Sequence, residues 1–263
     1  MPATMVAAGA ILFLFSSLTF GQSSRNLTPV QLEIERQQQR LNSEDQEDRR
    51  DALMRLGAMR RAAASRVALP ALSDPSPIIR VTAAKAILAL DPEEGAAALL
   101  PLLNDKDEFV RRETAYALGR TRSRTATSAL SERLLNDKEA GVRGAAAVAL
   151  GNIGDEAGVV ALASTLAPEL SAPTKSKRKR EENEFVLRAS AEALGQIKSR
   201  TGVPALLSVV SNEKLPVDVR REAVRALGSI GDPSAIPALK SASLSEDPFV
   251  SRLAHESLRK LSH

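Results

Sequence analysis

The sequence predicts an all-α fold: an α-solenoid, or superhelix, of stacked antiparallel helix pairs with about seven repeats. Three observations carry this. Alanine and leucine dominate a 263-residue chain whose aromatic residues are only one Tyr and six Phe, the make-up of close-packed helices. One short motif returns seven times. Its returns are near 31 residues apart, a period that means stacked supersecondary units and not one compact core.

The motif is a branched apolar residue, often followed by Arg, then Ala four positions after the first, Ala at seven, Leu at eight and often Gly at nine. Its best copies are Val110 to Gly119, Val142 to Gly151 and Val219 to Gly228. Weaker copies start at Asp48, Ile79, Val186 and Val250. Apolar positions recur three and four apart, so each copy lies on a helix with Val, Ala and Leu facing inward. Small Ala at the crossings lets neighbouring helices approach closely.

The rest of each unit supplies a second helix, as in Arg66 to Leu72, Ala96 to Leu103 and Val203 to Val210, which makes each unit an αα-hairpin. Gln31 to Leu41 reads as the first half of the opening unit. Three residues ahead of the motif starts stand Asp45, Ser76, Asp107, Glu139, Asn183 and Asp247, where an N-cap accepts free amides of the first turn. Pro77 and Pro248 follow at the position that tolerates proline. Gly57, Gly119, Gly151, Gly195 and Gly228 are expected to stop the motif helices in the left-handed conformation.

The first residues read differently. Val6 to Phe20 is uncharged, the chain then turns polar, and the small Thr19 and Gly21 suit a cut after Gly21, the pattern of a secretory signal peptide. Met1 to Met5 lacks the usual Lys or Arg. The apolar run falls short of the ~20 residues that span a bilayer. The expected organisation is a signal peptide at 1–21, a flexible N-terminus at 22–27 and a repeat domain at 28–263 with a basic loop insertion at about 168–182. The expected place is the periplasm or another extracytoplasmic space of a bacterium, with no membrane span after cleavage; an uncleaved segment would tether the chain.

The repeats resemble the HEAT-repeat superfamily, and in particular the short HEAT-like repeats of phycobilin lyases, over roughly residues 28–263. In that superfamily the loop Asp and the motif Arg of successive repeats commonly form a buried ladder. The resemblance therefore implies a structural ladder of Asp74, Asp105 and Asp137 with Arg80, Arg111, Arg143 or their neighbours, and with Arg220 further along. Leu187 and Ser251 stand where the motif Arg is expected, and Lys214 replaces the loop Asp before Val219, so the ladder should fray there.

The resemblance also reaches HEAT-like deoxyhypusine hydroxylases, which bind iron through repeated His-Glu pairs. This chain has one such pair, His255-Glu256, and its other histidine is the terminal His263. Cysteine is absent, which excludes disulfides, thiolate nucleophiles and cysteine-based metal sites. No glycine-rich phosphate loop, Ser-centred elbow or HExxH sequence occurs. The expectation is therefore a chain that is not an enzyme, without catalytic, cofactor or metal residues and without a cofactor.

The period breaks once, between the copies at 142 and 186, where the insertion carries Lys175, Lys177, Arg178, Lys179 and Arg180, followed by Glu181 and Glu182. Insertions in solenoids map to one face, often the binding face. These five cations are the candidate contacts for an anionic partner, against the alternative of a solvated loop. The net charge of +4 agrees with either. The expected function is a protein-binding scaffold with a protein partner. The alternatives are a lyase or maturation factor for a pigment or cofactor protein, and a nucleic-acid binder acting through the loop. Nucleic acid is disfavoured, since Trp is absent and Tyr116 is the sole Tyr, which leaves few groups for bases to stack on.

Overall fold

A computed structural model of the chain describes residues 27–167 and 182–261. The segment expected to be a signal peptide, His263, and the five loop cations lie outside the described residues. Within them the architecture is an all-α solenoid of seven antiparallel helix pairs.

The first helices of the pairs are α1 (Pro29–Arg40), α3 (Ala62–Ala68), α5 (Pro92–Leu99), α7 (Thr127–Asn136), α9 (Val159–Leu166), α11 (Val203–Ser211) and α13 (Ile236–Ala242). The motif helices are α2 (Gln46–Ala58), α4 (Pro77–Ala86), α6 (Glu108–Thr121), α8 (Ala140–Ile153), α10 (Glu184–Ile197), α12 (Val217–Ile230) and α14 (Pro248–Leu261). Each motif helix packs on the motif helices before and after it, and the first helices form a second layer.

The core lies between the layers. Leu118, Leu150, Leu194 and Leu227 of the motif helices meet Leu99, Leu130, Leu162, Leu206 and Leu239 of the first helices, all essentially inaccessible to solvent. Burying each such side chain stabilises by about 1.5–3 kcal/mol relative to leaving it exposed. The same leucine recurs at the same place in successive repeats, so the core is one continuous stripe along the solenoid.

The predicted caps hold at several helix starts. Asp107 accepts from the amides of Phe109 and Val110, Asn183 from Phe185, Asp45 from Glu47, and Asp247 from Phe249 and Val250. Ser76 and Glu139 stand at the N-cap but make no cap bond through their side chains; the Ser76 hydroxyl donates to Gln46 instead. The predicted helices over Arg66 to Leu72 and Ala96 to Leu103 tighten midway into 3₁₀ turns, Leu69–Ser73 and Leu100–Asn104. Pro70 and Pro101 lack the amide that an α-turn would use there.

The glycines do not end the helices. Gly119, Gly151, Gly195 and Gly228 lie inside them, and α6, α8, α10 and α12 stop three residues later at Arg122, Gly154, Lys198 and Gly231, all with positive φ. The interior glycines serve close approach. A β-carbon on Gly119 would lie 2.7 Å from the Ala149 α-carbon, on Gly151 2.9 Å from that of Ala193, and on Gly195 2.9 Å from that of Ala226. Gly57 and Gly228 stand in the same way against Ala86 and Ser257. The ninth residue of one motif thus packs backbone to backbone on the seventh of the next. The motif helices are thus stacked more tightly on one another than the first helices are, and in a curved solenoid the more tightly stacked layer is the shorter, inner one.

Candidate functional site

Two sets of arginines emerge from the motif helices, one between repeats and one on the inner face. The first stands one residue after the motif start. Arg80 forks onto Asp105, with Nε 2.7 Å from Oδ2 and Nη2 2.8 Å from Oδ1. Arg111 does the same to Asp137 at 2.8 and 3.1 Å, and Arg49 to Asp74 at 2.9 and 3.3 Å. The remaining Nη1 of each donates to carbonyls of its own loop, as Arg111 does to Asp105 and Lys106 at 2.9 and 3.3 Å. Each guanidinium therefore ties its own loop to the loop of the following repeat, through directional charge-assisted bonds.

Asp74, Asp105 and Asp137 also accept from the amide two residues on, at Ser76, Asp107 and Glu139. At the next junction Arg143 forks onto Glu182 and donates to the Asp137 and Lys138 carbonyls. Glu182 does there what a loop aspartate does elsewhere.

Among the described residues the ladder has no rung between α10 and α12, where Leu187 and Lys214 occupy the Arg and Asp positions. At the last junction Arg220, expected in the ladder, is replaced by its neighbour. Arg221 forks onto Asp247 at 3.1 and 2.6 Å and also donates to Asp218 at 2.7 Å, while the buried Nε of Arg220 has no hydrogen-bond partner. The reason is in the loop: Ser245 stands where an aspartate would, and the carboxylate that Arg221 reaches instead is Asp247, which also caps α14.

Burial pushes the carboxyls of Asp105 and Asp137 up. Their bonds from Arg80 and Arg111, with the amides of Asp107 and Glu139, outweigh it and hold both below the ordinary aspartate range. The bond to Asp137 in turn raises the Arg111 guanidinium. A depressed folded pKa gives stability that is present above the unfolded value, about 3.9, and lost as pH falls through the folded one. Thermal denaturation followed by circular dichroism is therefore expected to show a plateau near neutrality and a fall in Tm beginning as pH drops below about 4. That acid fall should be shallower in Asp137→Asn.

The second set stands one residue further, on the inner face. Arg50, Arg112, Arg188, Arg221 and Arg252 occupy the same position in five of the seven motifs. Arg50, Arg112, Arg188 and Arg252 carry substantial solvent exposure. Aromatic rings sit beside them: Arg112 lies 5.2 Å over the Phe109 centroid. Phe185 fills the space over Gly144 that a β-carbon would occupy. Sequence reasoning named neither this row nor its aromatic neighbours, although the recurrence of Arg at one motif position was there to be counted.

His255 is exposed on α14 beside Glu256, whose carboxylate lies 4.0 Å from Arg252. Among the described residues no three His, Asp or Glu side chains gather where they could hold a metal ion. Among them, too, no helix is long and apolar enough to cross a membrane.

The family model described as HEAT repeats matches residues 34–118, 96–172 and 171–259. Deoxyhypusine hydroxylase of Gallus gallus is 45% identical over 60 residues, which are 23% of this chain and 19% of the hydroxylase; the match thus spans about a fifth of that relative's length. The crystal structure of YibA from E. coli aligns over 89% of this chain and 82% of its own at 18% identity and a TM-score of 0.60, a likeness of fold. The CpcE and CpcF complex of phycocyanin lyase from Nostoc aligns over 90% of this chain and 89% of that one at 24% identity and a TM-score of 0.48. One expectation is overturned here. A chain that is not an enzyme was expected from its poverty in histidine and cysteine, yet the curated relative it matches at 45% is a hydroxylase.

Proposed function

The chain belongs to the HEAT-repeat family, and from that premise we propose that it binds a protein partner along the inner face of its solenoid. The observation that carries the reading is the row of arginines at one motif position on five helices, set on a layer whose backbones are in contact and so presented at fixed spacing. Stacked repeats create extended concave surfaces on which contacts are spread over many helices. A basic row there favours a partner with an acidic surface.

The test is site-specific photo-crosslinking in the native cells, with the probe at Arg112 on the inner face or at Val160, 67% exposed on the other layer. One discrete protein trapped from position 112 and not from 160 is the expected result; the reverse would overturn the reading. A variant with Lys175, Lys177, Arg178, Lys179 and Arg180 changed to Ser should trap the same protein. Trapping lost in that variant, and lost by the parent at high salt, would move the site to the loop.

The match to a hydroxylase favours a second, catalytic reading. Stoichiometric metal in the purified chain that disappears in His255→Ala would support it. A metal-free chain that still captures its partner would favour binding alone.

A further inference from the structure

We propose that the C-terminal end of the inner face is a docking cleft for an acidic segment of the partner protein, an inference that rests on the inner face being where the partner binds. The cleft, about 330 Å³ in volume, opens across three successive motif helices. α10 contributes Arg188, α12 contributes Arg221 and Arg225, and α14 contributes Arg252. Four guanidiniums face two carboxylates in its lining, Asp218 and Glu222.

These arginines are unequally committed. Arg221 is held by Asp247 and Asp218, and Arg225 hydrogen-bonds Glu222. Arg188 makes no hydrogen bond or ion pair among the described residues and interacts with the Glu222 carboxylate only through its charge, and the one carboxylate that Arg252 reaches among them is Glu256, at 4.0 Å. Two cations on helices either side of α12 thus remain available.

The wall on the α14 side is aromatic. Phe249 is half exposed, with Arg221 4.7 Å and Arg252 5.2 Å from its ring centroid. A guanidinium stacked on a ring keeps its edge N–H donors for an oxyanion, and a planar fork matches a carboxylate with two bonds. The cleft therefore combines donors for carboxylates with an apolar surface for the stem of the side chain that bears them.

The same lining argues against a nucleic acid. Asp218 and Glu222 would repel an unbroken run of phosphates, and one phenylalanine is a poor platform for successive bases. A peptide satisfies both signs: its carboxylates meet Arg188 and Arg252, and its amide N–H groups meet the carboxylates of α12.

The test is fluorescence anisotropy of the full chain with a fluorescein-labelled poly-glutamate peptide. Saturable binding, weakened by added salt, is expected. The combined variant Arg188→Ala, Arg225→Ala and Arg252→Ala should bind at least about tenfold more weakly, with an unchanged circular dichroism spectrum. The single reversal Arg252→Glu should also weaken binding and guards against misfolding of the triple variant. The serine variant of residues 175–180 should bind as the parent does. Parental affinity in both cleft variants, no binding of the peptide by the parent, or tighter binding of oligothymidylate than of poly-glutamate would overturn the proposal. Crosslinking from position 112 that persists in the triple variant while peptide affinity is unchanged would sink the cleft and leave the inner-face reading intact.

Discussion

Arg111→Ala is expected to destabilise the chain by about 3–5 kcal/mol, the cost of stripping one partner from a buried ion pair. The Arg111 and Asp137 side chains are 7% and 2% exposed, so water cannot replace the lost fork. Asp137 would retain the Glu139 amide and a distant Arg133, 3.8 Å away, while the Asp105 and Lys106 carbonyls would lose their donor. Arg55→Ala, which removes an exposed pair with Asp51, should cost less than about 1 kcal/mol. Urea midpoints measured for both variants decide the matter: equal midpoints would mean that the ladder contributes no more than a surface contact.

Leu118→Ala should cost about 2–5 kcal/mol, the range for emptying a buried leucine site, and should lie toward the upper end. The spread within that range reflects how far the surroundings collapse into the space. Leu118 is fully buried and is followed by Gly119, whose backbone already rests on Ala149. The helix has no room to slide toward its neighbour and close the gap. Denaturant titration together with amide hydrogen exchange should show the loss centred on α6 and α8; a loss below about 1 kcal/mol would mean that the seam yields.

Much of this architecture was legible because its causes repeat. A period near 31, Ala and Leu on one helical face, and Asp107 or Asn183 ahead of the first turn are local signals that the chain states several times. The ladder was legible through family resemblance where Asp105 and Arg111 keep their places, and misread at Arg220, because a change in the loop at Ser245 shifted the bond to the adjacent arginine. The glycines were misread for a different reason. Their partners, Ala149 or Ala226, lie about one repeat away, and the true left-handed ends at Arg122 and Lys198 carry no glycine to mark them. The cleft was missed because its arginines come from three helices and only stacking makes them neighbours. Sequence reasoning put its weight on the conspicuous run from Lys175 to Arg180, where contiguous charge is easiest to see.

The seam of glycine against alanine also gives the superhelix a mechanical asymmetry. Along the inner edge successive backbones already meet at several junctions, so a force that tightens the coil works against hard-core repulsion. A force that opens it is resisted by the softer hydrogen-bonded rungs at the loops. At the junction between α10 and α12 even that rung is missing. The coil should therefore behave as a spring with a stop: stiff in closing, compliant in opening, with its most extensible joint just ahead of the last two repeats.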